Sequence, residues 1–208
     1  PNISAAEALQ RLIAGNERFL QGKAHLSGVP LETLAELVQG QHPFATILGC
    51  SDSRVPPEVI FDAGPGELFV IRVAGNVLSP EVAASMQYAG MHLQTPLFVV
   101  LGHDGCGAIH AALEQRLHGV QHHSRIQILV DGILPVLDRV DAALPEAAQL
   151  EWAVEANVRR VVQTIVESPE GQARVREGSR KLVGAIYELS SGRVRLLGQR
   201  LQRGGGDA

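Results

Sequence analysis

Three short apolar runs punctuate the first half of the chain: "FATILG" at 44–49, "ELFVIRVAG" at 67–75 and "PLFVVLG" at 96–102. Runs this short and this uninterrupted fit strands covered on both faces. Between the second and third lies "SPEVAASMQYAGMHL", which reads as a helix with Ser79 as its cap and Pro80 at its first position. Strand, helix and strand in that order predict βαβ units, a mainly parallel sheet and an α/β fold with flanking helices. Ahead of them, "SAAEALQRLIAGNERFLQG" opens on Ser4 with Glu7 three residues on, a capping box, and then repeats Leu9, Leu12, Ile13, Phe19 and Leu20 at helical spacing. "GKAHLSGVP" is a loop, and "LETLAELVQGQ" a short helix stopped by Gly40. From about 106 to 170 the pattern is mostly helical. "AIYELSSGRVRLL" at 185–197 alternates around "SSG" and predicts an edge strand or hairpin. No repeat and no clean domain boundary interrupts this order. The expected division is one domain over 1–208, with a helical arm at 4–40, an α/β core at 44–198 and a flexible tail at 199–208 ending in "RGGGDA".

Composition narrows the partners. The 208 residues are 45% hydrophobic, enough for a sizeable core. Net charge is −4, with 18 Lys and Arg against 22 Asp and Glu. No basic cluster offers a nucleic-acid footprint, which leaves a small molecule or a protein as the partner. No apolar run reaches membrane-spanning length. The chain begins at Pro1, so a trimmed leader fits the sequence; a cytoplasmic location is expected, with periplasmic or other export left open.

The two cysteines, Cys50 and Cys106, cannot build a disulfide framework; such a pair is metal-binding, catalytic or simply buried. Their placement selects among these. "TILGC" runs through Gly49 into Cys50, and "FVVLGH" runs through Gly102 into His103. In a parallel sheet both strand ends lie on one edge, where loops converge and α/β proteins place their sites. Cys106 follows in "HDGCG". Two thiolates and an imidazole suit tetrahedral zinc, and three protein ligands leave a fourth position for water or substrate. Asp52 and Arg54 follow Cys50 within four residues. Asp52 could fill the fourth position, or Arg54 could hold it off the metal in a bidentate pair. The plain alternative is a packed His, two core thiols and a surface ion pair.

"CSDSR" at 50–54, "VAGN" at 73–76 and "GHDGCGA" at 102–108 closely resemble the β-class carbonic anhydrases. "PPEVIFDAGPGELFVIRVAGNVLSPEV", "EANVRRVVQTI" and "VGAIYELSSGRVRLL" extend the resemblance to nearly the whole chain, from about residue 4 to 198. The resemblance implies one zinc per subunit, held by Cys50, His103 and Cys106, with Asp52 as a fourth ligand in a resting state. It implies reversible hydration of CO2 to bicarbonate and a proton by zinc-bound hydroxide, with Asp52 and Arg54 as a catalytic dyad. Gly107 would position CO2 or bicarbonate through its backbone N–H, and Val77 and Tyr88 match positions near the apolar pocket. It further implies a homodimer or homotetramer, with the N-terminal helices extending onto a partner subunit. The apolar face of the 4–21 helix, with no obvious strand of its own to cover, fits that arm.

Two positions depart from the family pattern. Many relatives carry Gln where this chain has Ala63. Members that close on a bicarbonate pocket carry Trp where this chain has Ile47; Arg72 matches that pocket's arginine, but the single Trp is Trp152. Such a pocket is therefore not expected, although Asp52 could still close the site with pH. His25, His42, His92, His110, His118, His122 and His123 lack ligand spacing, apart from the adjacent His122 and His123, and are expected on the surface. The rival readings are a hydrolase of carbonyl sulfide or carbon disulfide on the same zinc site, a non-catalytic zinc-stabilised module, and a thiol–disulfide protein. The intact Asp52 and Arg54 pair argues against the module, and the absence of a C-x-x-C pair against the redox protein.

Overall fold

The structure is a computed structural model that describes residues 3–25, 31–178 and 180–198. The expected tail at 199–208 and part of the 22–30 loop lie outside the described residues. The elements run α1 (Ala5–Leu20), α2 (Leu31–Leu37), β1 (Ala45–Gly49), α3 (Pro57–Ile60), β2 (Leu68–Arg72), α4 (Pro80–Met91), β3 (Leu97–His103), α5 (Gly107–His118), α6 (Ile126–Ile133), α7 (Glu146–Glu167), α8 (Pro169–Glu177), β4 (Lys181–Tyr187) and β5 (Val194–Leu197). Short 3-10 segments follow β2 and α6, at Ala74–Asn76 and Leu134–Arg139.

The five strands form one sheet in the order β2-β1-β3-β4-β5. β1 pairs in parallel with β2 and β3, and β3 in parallel with β4; only the edge strand β5 is antiparallel. The three runs read as strands are strands, and the 185–197 segment is the β4–β5 hairpin, with β4 starting earlier, at Lys181. All five residues of β1 are buried, as a central strand covered on both faces must be.

Helices cover both faces. α7 lies across β3 and β4 where two glycines admit it: a Cβ on Gly102 would sit 2.6 Å from Val158 Cγ2, and one on Gly184 2.9 Å from Val158 Cγ1. α1 covers the opposite face, lining a cavity with Val99, Ala185 and Val194 through Leu9, Leu12 and Ile13. A Cβ on Gly15 would meet the Phe61 carbonyl oxygen at 1.9 Å, so only glycine allows α1 this close to α3. Asn16 stitches the contact. Its Nδ2 donates to the carbonyls of Ile60 at 3.2 Å and Gly192 at 2.9 Å, and its Oδ1 accepts from Val194 N–H at 3.0 Å. The apolar face of α1 therefore has a strand of its own chain to cover, contrary to the sequence reading. The Ser4 and Glu7 capping box and the Ser79 cap both form as read. α2 buries none of its residues and exposes Leu31 and Leu34, with Val38 exposed just beyond it.

Candidate metal centre

The parallel pairing of β1 with β3 registers Gly49 against Leu101, so Cys50 and His103 leave the sheet at the same edge. From there Gly105, at φ 60°, turns the chain back so that Cys106 becomes the N-cap of α5. The three side chains meet. Cys50, His103 and Cys106 are each buried, and their donor atoms lie within 4.8 Å of one another. The sulfurs stand 4.0 Å apart. Two sulfurs on a tetrahedral zinc at about 2.3 Å each would stand about 3.8 Å apart, so the pair fits that ion.

His103 supplies the clearest sign of a missing partner. Its Nδ1 lies 2.8 Å from the Asp104 carbonyl oxygen. A carbonyl only accepts, so the proton sits on Nδ1 and Nε2 carries the lone pair. Nε2 is buried and has no hydrogen-bond partner among the described residues. An unmet buried acceptor is costly, and a cation between it and the two sulfurs removes the cost. A carbonyl behind the imidazole is also the usual support for a metal-ligating histidine. Asp104 is fixed in turn, its Oδ1 accepting from Leu189 N–H at 2.8 Å.

The sulfurs share charge unequally. Cys50 is held down to about 4, first by the hydrogen bond from Cys106, against burial, with His103 and the N–H groups of Asp52 and Gly75 adding to the effect. Cys106 is pushed up, first by that same bond and then by burial, with the N–H groups of Ile109 and Ala108 opposing. Bound to zinc, both thiols are deprotonated outright. Burial is the largest single influence and pushes His103 down, but the Cys50 sulfur, the Asp104 carbonyl and the Asp52 carboxylate together turn the net direction up.

Asp52 and Arg54 stand beside this centre as a bidentate pair. Arg54 Nε donates to Oδ1 at 2.9 Å, Nη2 to Oδ2 at 2.7 Å, and the Arg54 N–H to Oδ1 at 3.0 Å. Asp52 Oδ2 lies 3.9 Å from His103 Nε2, too far for a hydrogen bond. The Arg54 side chain holds the Asp52 carboxyl well below the usual carboxylate range, against partial burial, with His103 also lowering it. Here the carboxylate is engaged by Arg54, and the group close enough to share an ion is Cys50, His103 and Cys106.

The other expected positions spread out. Gly107 is exposed, and a Cβ there would meet nothing within 4 Å, so its side of the centre is open. Val77 is buried against the glycines at 75 and 132. Tyr88 is 48% exposed on α4, its ring beside Phe69 and His92. Ala63 is buried and offers no side-chain donor, and Ile47 is fully buried in β1. Of the remaining histidines, His110 is half-buried between Glu114 and Glu146, and His122 is half-buried with Nε2 3.4 Å from the Ala111 carbonyl oxygen. The other five are exposed.

Sequence reasoning missed two supports. Arg72, at the end of β2, donates from Nε to the Cys50 carbonyl at 2.9 Å and from Nη2 to the Asp52 carbonyl at 2.5 Å, tying down the loop that carries both. Asn157 reaches from α7 to the Gly75 carbonyl at 2.9 Å. A polar residue inside an apolar helical stripe was the available signal for the second.

A Cys-His-Cys cluster at the carboxyl edge of a parallel sheet is a candidate metal centre on an α/β fold, with a donor set suited to zinc. The carbonic anhydrase family model matches residues 45–194. Carbonic anhydrase 2 of Mycobacterium tuberculosis is 38% identical over 200 residues, covering 93% of each chain. Among solved structures, the Coccomyxa β-carbonic anhydrase superposes at TM-score 0.72 with 27% identity, over 91% of this chain and 86% of that one. A tetrameric β-carbonic anhydrase of Sordaria macrospora superposes at TM-score 0.74 with 24% identity, over 93% of this chain and 98% of that one, and shows the shared fold. The chain belongs to the β-class carbonic anhydrase family.

Proposed function

We propose that the protein catalyses the reversible hydration of CO2 to bicarbonate and a proton, with one zinc held by Cys50, His103 and Cys106. The observation that carries this is the buried, unpartnered His103 Nε2 facing two cysteine sulfurs beside an ionised Asp52. Zinc at this position would lower the pKa of a bound water from 15.7 to about 7 and so supply a nucleophile at neutral pH.

The chain's own residues do the rest. Asp52 stays ionised across the working range, so it can only accept. It takes a hydrogen bond from the attacking oxygen and turns that oxygen's lone pair toward the carbon of CO2. Arg54 fixes the carboxylate from three donor positions and keeps it off the metal. Loss of the Arg54 pairing would free Asp52 to occupy the fourth position, the resting state. The open side at Gly107 admits CO2 and releases bicarbonate, with the Gly107 N–H and the apolar Val77 as its walls. Tyr88 lines the pocket only if a partner subunit brings it there. The exposed Leu31, Leu34 and Val38 are the surface by which the N-terminal arm joins a homodimer or homotetramer. Among the described residues, no helix is long and apolar enough to cross a membrane.

Stopped-flow CO2 hydration by the zinc-loaded protein tests the proposal, beside sulfide release from carbonyl sulfide and carbon disulfide. Strong hydration that rises with pH is expected. Sulfide release without hydration would reassign the substrate, and zinc-loaded protein inert to all three would reject catalysis.

A further inference from the structure

Asn157 sits in the middle of α7 at 1% exposure. Its Nδ2 donates to the Gly75 carbonyl at 2.9 Å, while its Oδ1 is buried with no partner among the described residues. An apolar side chain of similar size would carry no unmet acceptor of its own, but it would take the donor from the Gly75 carbonyl. The helix gains nothing from the amide that a leucine would not supply. The bond it makes is therefore the thing to explain.

That bond lands on an unusual turn. Gly75 has φ 70° and Asn76 φ 42°, two consecutive residues in the left-handed region. Gly75 adopts it freely, but the non-glycine Asn76 holds it at a cost and stays there because its surroundings over-determine it. Packing holds one side: a Cβ on Gly75 would lie 3.0 Å from Ile133 Cδ1 and 3.1 Å from Ala108 Cβ. Asn157 holds the carbonyl. What the turn presents to the site is the Gly75 N–H, 3.3 Å from Cys50 Sγ. The sulfur's other backbone donor, the Asp52 N–H at 3.4 Å, belongs to the loop that Arg72 ties down.

We infer that Asn157 is a positioning residue of the zinc centre, acting through Gly75. It pins the glycine's carbonyl, and the pinned glycine keeps an N–H aimed at the Cys50 sulfur. That N–H fixes the direction of the sulfur lone pairs and draws charge from the thiolate, which sets how strongly it donates to the metal. The inference rests on Cys50 being a zinc ligand, as proposed above.

The test compares Asn157→Leu and Asn157→Ala with Val161→Ala, a buried core residue one turn further along α7. Three quantities are read: zinc per chain, the rate at which a chelator strips zinc, and the thiolate-to-metal charge-transfer bands of the cobalt(II) form. Both Asn157 variants should release zinc about 10- to 100-fold faster and shift those bands. Val161→Ala should lose thermal stability while keeping the wild-type rate and bands. Asn157 variants that match wild type in both readouts, or a Val161→Ala variant that moves them equally, would overturn the positioning role. Should the Asn157 variants fail to fold, NMR of the wild-type cadmium-113 form decides. A scalar coupling from the Gly75 amide proton to the metal through sulfur supports the inference, and its absence overturns it. A wild type that binds no metal at Cys50 would instead overturn the zinc reading, and the positioning role with it.

Discussion

The two cysteines of the metal centre are the same chemical group held in opposite ways. Cys106 is held locally: it stands at the N-cap position of α5, where the N–H groups of Ala108 and Ile109, two and three residues on, favour its thiolate. Cys50 has one local donor, the Asp52 N–H two residues on, and is otherwise held by the tertiary structure: Gly75, Arg72 and Asn157 come from a turn, a strand and a helix elsewhere in the chain. A helix start can be written into four adjacent residues. A thiolate in a loop finds little support nearby, and the rest has to be brought in by the fold. The Cys50 side is thus the one that distant substitutions should disturb.

The comparison disappears first where the metal itself is lost. Cys50→Ser and Cys106→Ser should be equally damaging, because a hydroxyl is a poor replacement for a thiolate toward zinc. Each should lower zinc affinity by more than the roughly 100-fold typical of losing a supporting residue, measured by competition with a chromophoric chelator. Next comes the group that belongs to neither sulfur. Asp52→Asn should keep zinc but lower kcat for CO2 hydration by roughly 100-fold or more.

Asp52 also fixes a sign. Its folded-state pKa is depressed, so its contribution to stability is present above the unfolded value of about 3.9 and is lost as pH falls through the lower folded value. Between pH 6 and 9 thermal unfolding should therefore show no step from Asp52. A step in that window that Asp52→Asn abolishes would contradict the pairing.

Arg72→Ala separates the two sides. It removes charged hydrogen bonds to the carbonyls of Cys50 and Asp52 and should cost about 1–3 kcal/mol in chemical denaturation. Amide hydrogen exchange should rise over 50–54 and stay unchanged over 106–110. The smallest effect belongs to the local side. Ala111→Gly, within α5, should cost up to about 1 kcal/mol of helix propensity in thermal unfolding and leave zinc retention nearly untouched.

What could be read from residues alone follows the same divide. β1, β2, β3 and α4 were legible because runs like "FATILG" and a cap like Ser79 are local signals. The Cys50, His103 and Cys106 cluster was legible because parallel strands put Cys50 and His103 at one edge whatever the detail. The start of β4 was not, because "KLVG" opens on a charge and ends on a glycine that only the approach of Val158 explains. The division of 106–170 into α5, α6, α7 and the start of α8 was blurred by continuous apolar content. Nor was the strand under α1 visible, since β3 and β4 show no surface until the sheet is built. Arg72 could be matched by resemblance, but its grip on two carbonyls could not be seen from spacing.

Asn16 carries a consequence for how the chain is made. Its bond to Val194 joins residues 178 positions apart. At about 5–20 residues per second, a ribosome takes roughly 9–36 seconds to cross that interval. Throughout it, the apolar stripe of the first helix exists without the hairpin that completes its seat. The helix thus leaves the exit tunnel well before the hairpin and is among the last segments to be locked in place. It spends the interim as a natural client for whatever shields nascent chains.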